Sequence, residues 1–349
     1  MRKHLVLALA VLLVLGLGVA GLQWWRTLQM SKFEQAIALA PADAQRLSWT
    51  DWAAVRDTLD VELSATSSGA DVDQFMADAF TADLSPMSAL LESTPTMHQE
   101  FPFSPATLDW ELLSQSEEGA VVLMHLAEGT DIDSVEDDLE GLGYQRPEDE
   151  GDVWVGGIDL LPSIGVLTPE LQYLAVDADS QLVVGSDTEG YLSQAMANVT
   201  GEADPVEGFD EVAGTLEEPL AAAVYDGPLV CSSLAMGSAD AADQDQAAEL
   251  IAAAGEVNPM TAFAMGVEPG LGVRVAMSFE TDDQARTNAD SRAALASGPA
   301  PGQGGDFSDR FRLGSVSAQD AVVTMELQPE RGEYVLSDLT SGPVLFATC

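Results

Sequence analysis

Any chemistry in this chain has to be built from carboxylates, two histidines, two cysteines and a few tryptophans. Beyond the N-terminal head the histidines are His98 and His125. A zinc hydrolase needs ligands at short spacing, as in HExxH, and neither histidine has a second one at that spacing. His125 alternates with Val121 and Leu123 along an apolar run and reads as a sheet-face histidine. His98, beside Gln99 and Glu100, reads as a solvated loop residue. No GxSxG elbow and no SxxK pair occurs. Lysine is found only at Lys3 and Lys32, which excludes lysine-based serine hydrolases, Schiff-base enzymes and the P-loop lysine of nucleotide hydrolysis.

Carboxylates number 58. Glycoside hydrolysis needs two of them flanking a cleft with aromatic walls. Trp49, Trp52, Trp110 and Trp154 are candidates for such walls, but nothing selects which acids would work, and tryptophans more often fill cores. Asp71 and Asp73, Asp131 and Asp133, and Asp177 and Asp179 each place two acids one residue apart, as calcium loops do. None has both the glycine and the distal glutamate of an EF-hand. Asp133 suits a helix N-terminus and Asp177 with Asp179 suit a turn. Asn198 and Thr200 form a glycosylation sequon at a helix end. Gly16, Gly18 and Gly21 match the GxGxxG spacing but lie inside an apolar run, without the preceding strand that a dinucleotide site requires. No catalytic residue, cofactor or metal site is assigned.

The net charge is −45, with 13 basic residues against 58 acidic ones. Such a field repels nucleic acid and anionic headgroups and attracts cations or a basic protein partner. Nucleic-acid and nucleotide binding are therefore not expected. A simpler use for the acidity is solubility in an ion-rich surrounding. Cys231 and Cys349 are the two cysteines, and outside the cytoplasm they pair most simply with each other. The bridge would close a loop of 118 residues. The chain-entropy model assigns about 5 kcal/mol to a loop of that size. Two separate buried thiols are the alternative.

Residues 1–4 form a basic head, and residues 5–25 carry no charge. A helix of that length covers the roughly 30 Å core of a bilayer. Trp24, Trp25 and Arg26 sit where an interfacial belt belongs, which favours a signal anchor. Gly18 and Ala20 also fit a signal-peptide cleavage site, which would release a secreted protein. Either way the N-terminus stays inside and the remainder lies outside the cytoplasm. We divide that remainder into an acidic, helical lead-in at 26–118, a first α+β module at 119–207 and a second at 208–349.

The elements that must position any site follow from local patterns. Residues 44–49 suit a strand, and Thr50 or Asp51 caps a helix through Leu59. Residues 72–80 and 86–91 are helical patches. Strands are expected at 120–126, 153–155, 171–176 and 181–184, the last two turning around Asp177. Helices are expected at 130–142 and after a Ser186/Glu189 capping box. In the second module, strand 220–225 and helix 239–253 precede a hairpin turned at Pro269 and Gly270. A Thr281/Gln284 box then opens a helix to about 296, before strand 321–327 and a helix within 331–339. The second module thus reads β-α-β-β-α-β, the ferredoxin-like split order, and the first follows it less cleanly. The expected class is α+β: two tandem modules with antiparallel or mixed sheets and helices on one face. One sheet built from both halves is the alternative.

The head and apolar span, the segment PADAQRLSWTDW at 41–52, and the arginine-rich, lysine-poor acidic region resemble uncharacterised membrane-anchored or exported cell-envelope proteins of high-GC bacteria. The resemblance implies a cell-envelope location and carries over no functional residue. The expectation is a non-enzymatic binding, sensor or structural module of the envelope. An extracytoplasmic hydrolase assembled from remote residues and a calcium-dependent adhesion or scaffold module are the alternatives.

Overall fold

The computed structural model describes residues 30–148 and 151–349. The expected membrane span at 5–25 lies outside them. No helix among the described residues is long and apolar enough to cross a membrane.

The chain begins with α1 (Lys32–Ile37), β1 (Arg46–Thr50), α2 (Trp52–Thr58), α3 (Gly69–Thr81) and α4 (Thr94–Glu100). Then come β2 (Trp110–Gln115), β3 (Ala120–His125), α5 (Ile132–Leu142), β4 (Trp154–Val155) and α6 (Gly157–Ile164). The hairpin β5 (Tyr173–Asp177) and β6 (Leu182–Ser186) leads to α7 (Glu189–Val199) and α8 (Asp210–Ala213). The second half holds β7 (Ala221–Asp226), α9 (Ala241–Ala254), β8 (Ala262–Val267) and β9 (Val273–Ser278). It closes with α10 (Asp282–Leu295), β10 (Phe311–Gln319), β11 (Val322–Pro329) and α11 (Val335–Ser341).

Local chemistry sets many of these boundaries. Asp51 caps α2 by accepting from the Ala54 amide at 2.9 Å, and Asp240 caps α9 through the Ala242 and Asp243 amides. Thr281 caps α10 by accepting from the Gln284 amide, but Gln284 Oε1 accepts from the Glu280 amide and not from Thr281, so the expected reciprocal box is only half made. Gly143 ends α5 at φ +107°, the left-handed conformation that glycine adopts without strain. Asp177 Oδ2 accepts from the Ser180 amide and holds the β5–β6 turn. One cap differs from expectation. Ser186 belongs to β6 and donates to the Ala120 carbonyl, and Thr188 is the residue that caps α7.

The strands form one eleven-stranded sheet in the order β10-β11-β9-β8-β7-β1-β2-β3-β6-β5-β4. Every pairing is antiparallel. The α+β class holds, with a single antiparallel sheet built from both halves. The split βαβ order is not what connects the strands. A ferredoxin-like module places a third strand between its first two, whereas β7 and β8 are direct neighbours with Ala223 opposite Met265. The described strands instead show a different regularity. The series β1-β2-β3-β6-β5 and β7-β8-β9-β11-β10 follow the same path outward from the centre. They meet where β1 pairs antiparallel with β7, Ser48 opposite Ala223. β1 and β2, from the lead-in region, are therefore central strands.

Alternation along the strands sends side chains to two cores. Leu47 and Trp49 pack with Phe33 of α1, with α7 and with α8 on one face. The Trp49 ring lies 5.3 Å from Trp110 and 5.5 Å from Phe33. The opposite face carries a larger core under α2 to α6 and α9 to α11, including Trp52, Phe75, Phe263 and Phe346. Helices thus cover both faces at the centre, not one.

Candidate ligand-binding cleft

β1 is the sixth of the eleven strands, and each of its ends opens beside a polar cleft. At its C-terminal end, Lys32 Nζ lies 3.2 Å from Asp51 Oδ2 and 3.0 Å from Asp109 Oδ1. His125 Nδ1 lies 3.5 Å from Asp109 Oδ2, and its ring stacks on Trp110 at 5.1 Å. Burial lowers the His125 pKa, with Asp109 pulling the other way, so the ring is neutral at pH 7. Burial works against the Lys32 charge too, but the two aspartates outweigh it and raise the amine. Lys32, Asp109, Trp110 and His125, with Gln35, Leu39, Ser180 and Leu182, line a cleft of about 320 Å³. Both carboxylates are already engaged by Lys32, and Ser180 donates to Asp177. The amine and the two carboxylates satisfy one another, while His125 Nδ1 is buried with no hydrogen-bond partner among the described residues.

The N-terminal end is different. Arg46, Gln115 and Tyr225 form one row across β2, β1 and β7, because Arg46 faces Gln115 on one side and Tyr225 on the other. The Arg46 guanidinium carbon lies 5.3 Å from the Tyr225 ring centroid, a stacked cation–π arrangement. The row opens into a cleft of about 390 Å³, whose other walls are Gln45, Ser116, Leu229, Ser233, Leu234, Thr340 and Ser341. None of these lining residues is acidic. In a chain with 58 carboxylates this is a local exception.

The described ion pairs engage Lys32, Arg146, Arg274, Arg286, Arg310 and Arg312, and Arg46 is in none of them. Arg46 Nε and the Tyr225 hydroxyl are buried with no hydrogen-bond partner among the described residues. Tyr225 is 2% exposed. Burial raises its pKa and Arg46 opposes that shift, so the phenol keeps its proton and remains a donor. Buried donors without acceptors are costly, and both residues line one cleft, so a ligand acceptor that reached these two atoms would be rewarded. The nearest carboxylate along the strand, Asp226, is committed to the Leu229 amide at 2.7 Å.

Three contacts from distant chain position the far wall. The disulfide between Cys231 and Cys349, expected from the sequence, is formed with its Cα atoms 5.6 Å apart, and no free cysteine remains. It anchors the C-terminus to the turn that supplies Leu229, Ser233 and Leu234. The Val344 amide donates to the Leu234 carbonyl at 2.7 Å. Buried Arg292 donates to the carbonyls of Thr348 and Asn258 at 2.9 and 2.6 Å. Burial pushes its guanidinium pKa down to about 9, so it is still charged at pH 7.

The other residues singled out by sequence do not assemble. Trp49, Trp52 and Trp154 are fully buried, and Trp110, nearly so, meets only the cleft beside Lys32, with His125 stacked on it, so these four do not face one another across a sugar cleft. His98 sits in α4, not in a loop, and its Nε2 lies 2.9 Å from the Ser67 carbonyl. Asp71 closes the Ser68 cap of α3, Asp131 bonds Ser134, and Asp177 holds its own turn. Among the described residues no group of three or more His, Cys, Asp or Glu side chains is placed to hold a metal ion. Asn198 is buried and donates to the Asp204 carbonyl, so the sequon is not presented. Arg46 and Tyr225 carry no motif, and the signal in the sequence was indirect: an arginine in a strand, in a chain where basic residues are scarce.

No family model matches the chain, and no curated protein matches it. Among solved structures it is similar to that described as "Structure of crystal form I of TP0453". The TM-score is 0.38 and the identity 6%, covering 89% of this chain and 100% of that one. A likeness at that level carries no argument here.

Proposed function

We propose that this protein is a non-enzymatic binding module of the cell envelope, held in the membrane by residues 5–25 with its folded region outside the cytoplasm. Its ligand site is the Arg46 cleft. The observation that supports the reading is the pair of unpartnered buried donors, Arg46 Nε and the Tyr225 hydroxyl, in a cleft without carboxylates. A volume of about 390 Å³ fits a small molecule. The acidic exterior steers basic partners toward the rest of the surface and keeps polyanions away. The disulfide suits an oxidising compartment. The resemblance to envelope proteins of high-GC bacteria belongs to the same reading. The matching strand paths on the two sides of the β1–β7 pair support descent of both halves from one duplicated α+β module.

The test has two arms. Full-length protein should remain with carbonate-washed membranes and keep its N-terminus; a mature chain starting near Gly21 would replace the anchor with a cleaved signal. Small-molecule fragments should protect Arg46 from phenylglyoxal, read by mass spectrometry. Modification of Arg46 indifferent to every fragment would remove the cleft as the site.

A second reading, an extracytoplasmic hydrolase, draws on neutral His125 beside Asp109. No serine, threonine or cysteine side chain bonds that ring among the described residues, so His125 would have to act on water. Hydrolysis lost in H125Q and kept in R46Q would favour it.

A further inference from the structure

The ligand class follows from the chemistry of the cleft walls, given that the cleft is the ligand site. Arg46 offers a planar fork of donors, the geometry that matches a carboxylate in two parallel hydrogen bonds. Its neighbour in the row, Tyr225, adds a phenolic donor, and its partner Gln115 adds an amide. Ser116, Ser233, Thr340, Ser341 and Gln45 surround this head with hydroxyls and one more amide. The Thr340 and Ser341 hydroxyls donate to carbonyls of their own helix and so are left as acceptors, while the glutamine amides offer donors, which together suit a hydroxylated carbon chain. Leu229 and Leu234 give two apolar contacts on the same wall, enough for one C–H face and too few for an acyl chain.

Charge decides between anions. The chain carries −45, and the repulsion it exerts on an approaching ligand scales with that ligand's charge. A monoanion meets the least of it, whereas phosphate esters and polyuronates meet several times more. Screening over about 8 Å at physiological salt weakens this repulsion but keeps its order, because it scales with ligand charge all the same, and the cleft walls supply no acids of their own.

We propose that the Arg46 cleft binds a small hydroxylated monocarboxylate, of the sugar-acid class, with the carboxylate on Arg46 and Tyr225 and the hydroxyls on the Ser116, Ser233 and Thr340 side. The binding is reversible and breaks no bond.

The experiment uses full-length protein in nanodiscs, with D-glucuronate, D-glucose and inorganic phosphate as probes. Binding is followed by calorimetry and by phenylglyoxal modification of Arg46. Glucuronate should bind and slow Arg46 modification, with glucose and phosphate at least about tenfold weaker, since a bidentate charged contact is worth roughly one such factor or more. R46Q should abolish glucuronate binding while its melting temperature stays near that of the parent. If R46Q does not fold, Y225F serves, with a several-fold loss expected. Equal binding of glucose and glucuronate with protection of Arg46 would overturn the carboxylate assignment and leave the cleft as the site. Tighter binding of phosphate would overturn the class in the same way. Glucuronate binding that survives R46Q, or no protection of Arg46 by any probe, would overturn both the class and the site.

Discussion

Asp83 and Leu336 lie 253 residues apart, and the Asp83 carboxylate accepts the Leu336 amide hydrogen at 2.6 Å. The same carboxylate receives the Ser337 amide and hydroxyl. Asp83 thereby serves the first turn of α11 from outside the helix, in the manner of an N-cap. It does so in a left-handed conformation, φ +60°, just after α3. The consequence reaches the cleft, since Thr340 and Ser341 at the end of α11 are two of its walls.

The pH response draws on buried Asp83 and Glu111, and on half-buried Glu268, which burial likewise raises to about 7. Burial raises Asp83 from 3.8 to about 6, against the pull of its bonds to Ser337 and Leu336. Burial raises Glu111 from 4.5 to about 7, against its bonds from Trp52 and residues 88–90. The folded state therefore binds these protons more tightly than the unfolded chain. The stabilisation from Glu111 is fully present below pH 4.5 and is lost as the pH rises through about 7; for Asp83 the corresponding limits are 3.8 and about 6. Each of the Asp83 and Glu111 changes corresponds to roughly 3 kcal/mol. The melting temperature should be higher near pH 5 than near pH 8. The E111Q variant, neutral throughout, should flatten that slope while the background from surface acids persists. Identical slopes in parent and E111Q would refute the assignment.

Arg292 is fully buried with no carboxylate partner among the described residues. Its donors go to carbonyls of the C-terminal segment, to the Asn258 carbonyl, and to Asn288 Oδ1 at 3.1 Å. Replacing it with leucine strands those carbonyls and should cost about 3–5 kcal/mol, read as a drop in the urea midpoint. R292K keeps the charge but not the fork and should fall between the two. A leucine variant as stable as the parent would mean that water satisfies the carbonyls instead.

Reducing the Cys231–Cys349 bridge frees a loop of 118 residues. The expected loss is about 2–5 kcal/mol. The C231A/C349A double variant should still fold, because Arg292 and the Val344–Leu234 bond hold the same segment. Thiol labelling of denatured, unreduced parent protein should detect no free thiol, and labelling at both sites would disprove the bridge.

What was readable in the sequence was local. The turns at Asp177 and at Pro269 with Gly270, and the Thr281/Gln284 cap, depend on residues a few positions apart. β2 escaped because Glu111 and Ser114 are buried within it, breaking the apolar pattern that marks a central strand. Glu111 is tolerated there because Trp52 Nε1 and the Ala89 amide donate to it, and both come from other elements. β10 escaped for the opposite reason: it is an edge strand rich in small polar residues, with a register shift between Leu313 and Val316. The strand order was out of reach because element order does not fix which strands pair, and with β10 missed the second half read as a split βαβ unit. The cleft was out of reach for a related reason, since Arg46 meets Tyr225 only through the pairing of β1 with β7.

That pairing bears on how the protein comes into being. A chain made from its N-terminus presents β1 long before β7 exists, and β2 can cover only one of its edges. Until residue 226 has emerged, the strand destined for the middle of the sheet is a bare edge, the kind that recruits stray strands from other chains. β1 is only five residues long, so the template it offers in that interval is short, and the arginine at its head is a charge that discourages a neighbour from adding on.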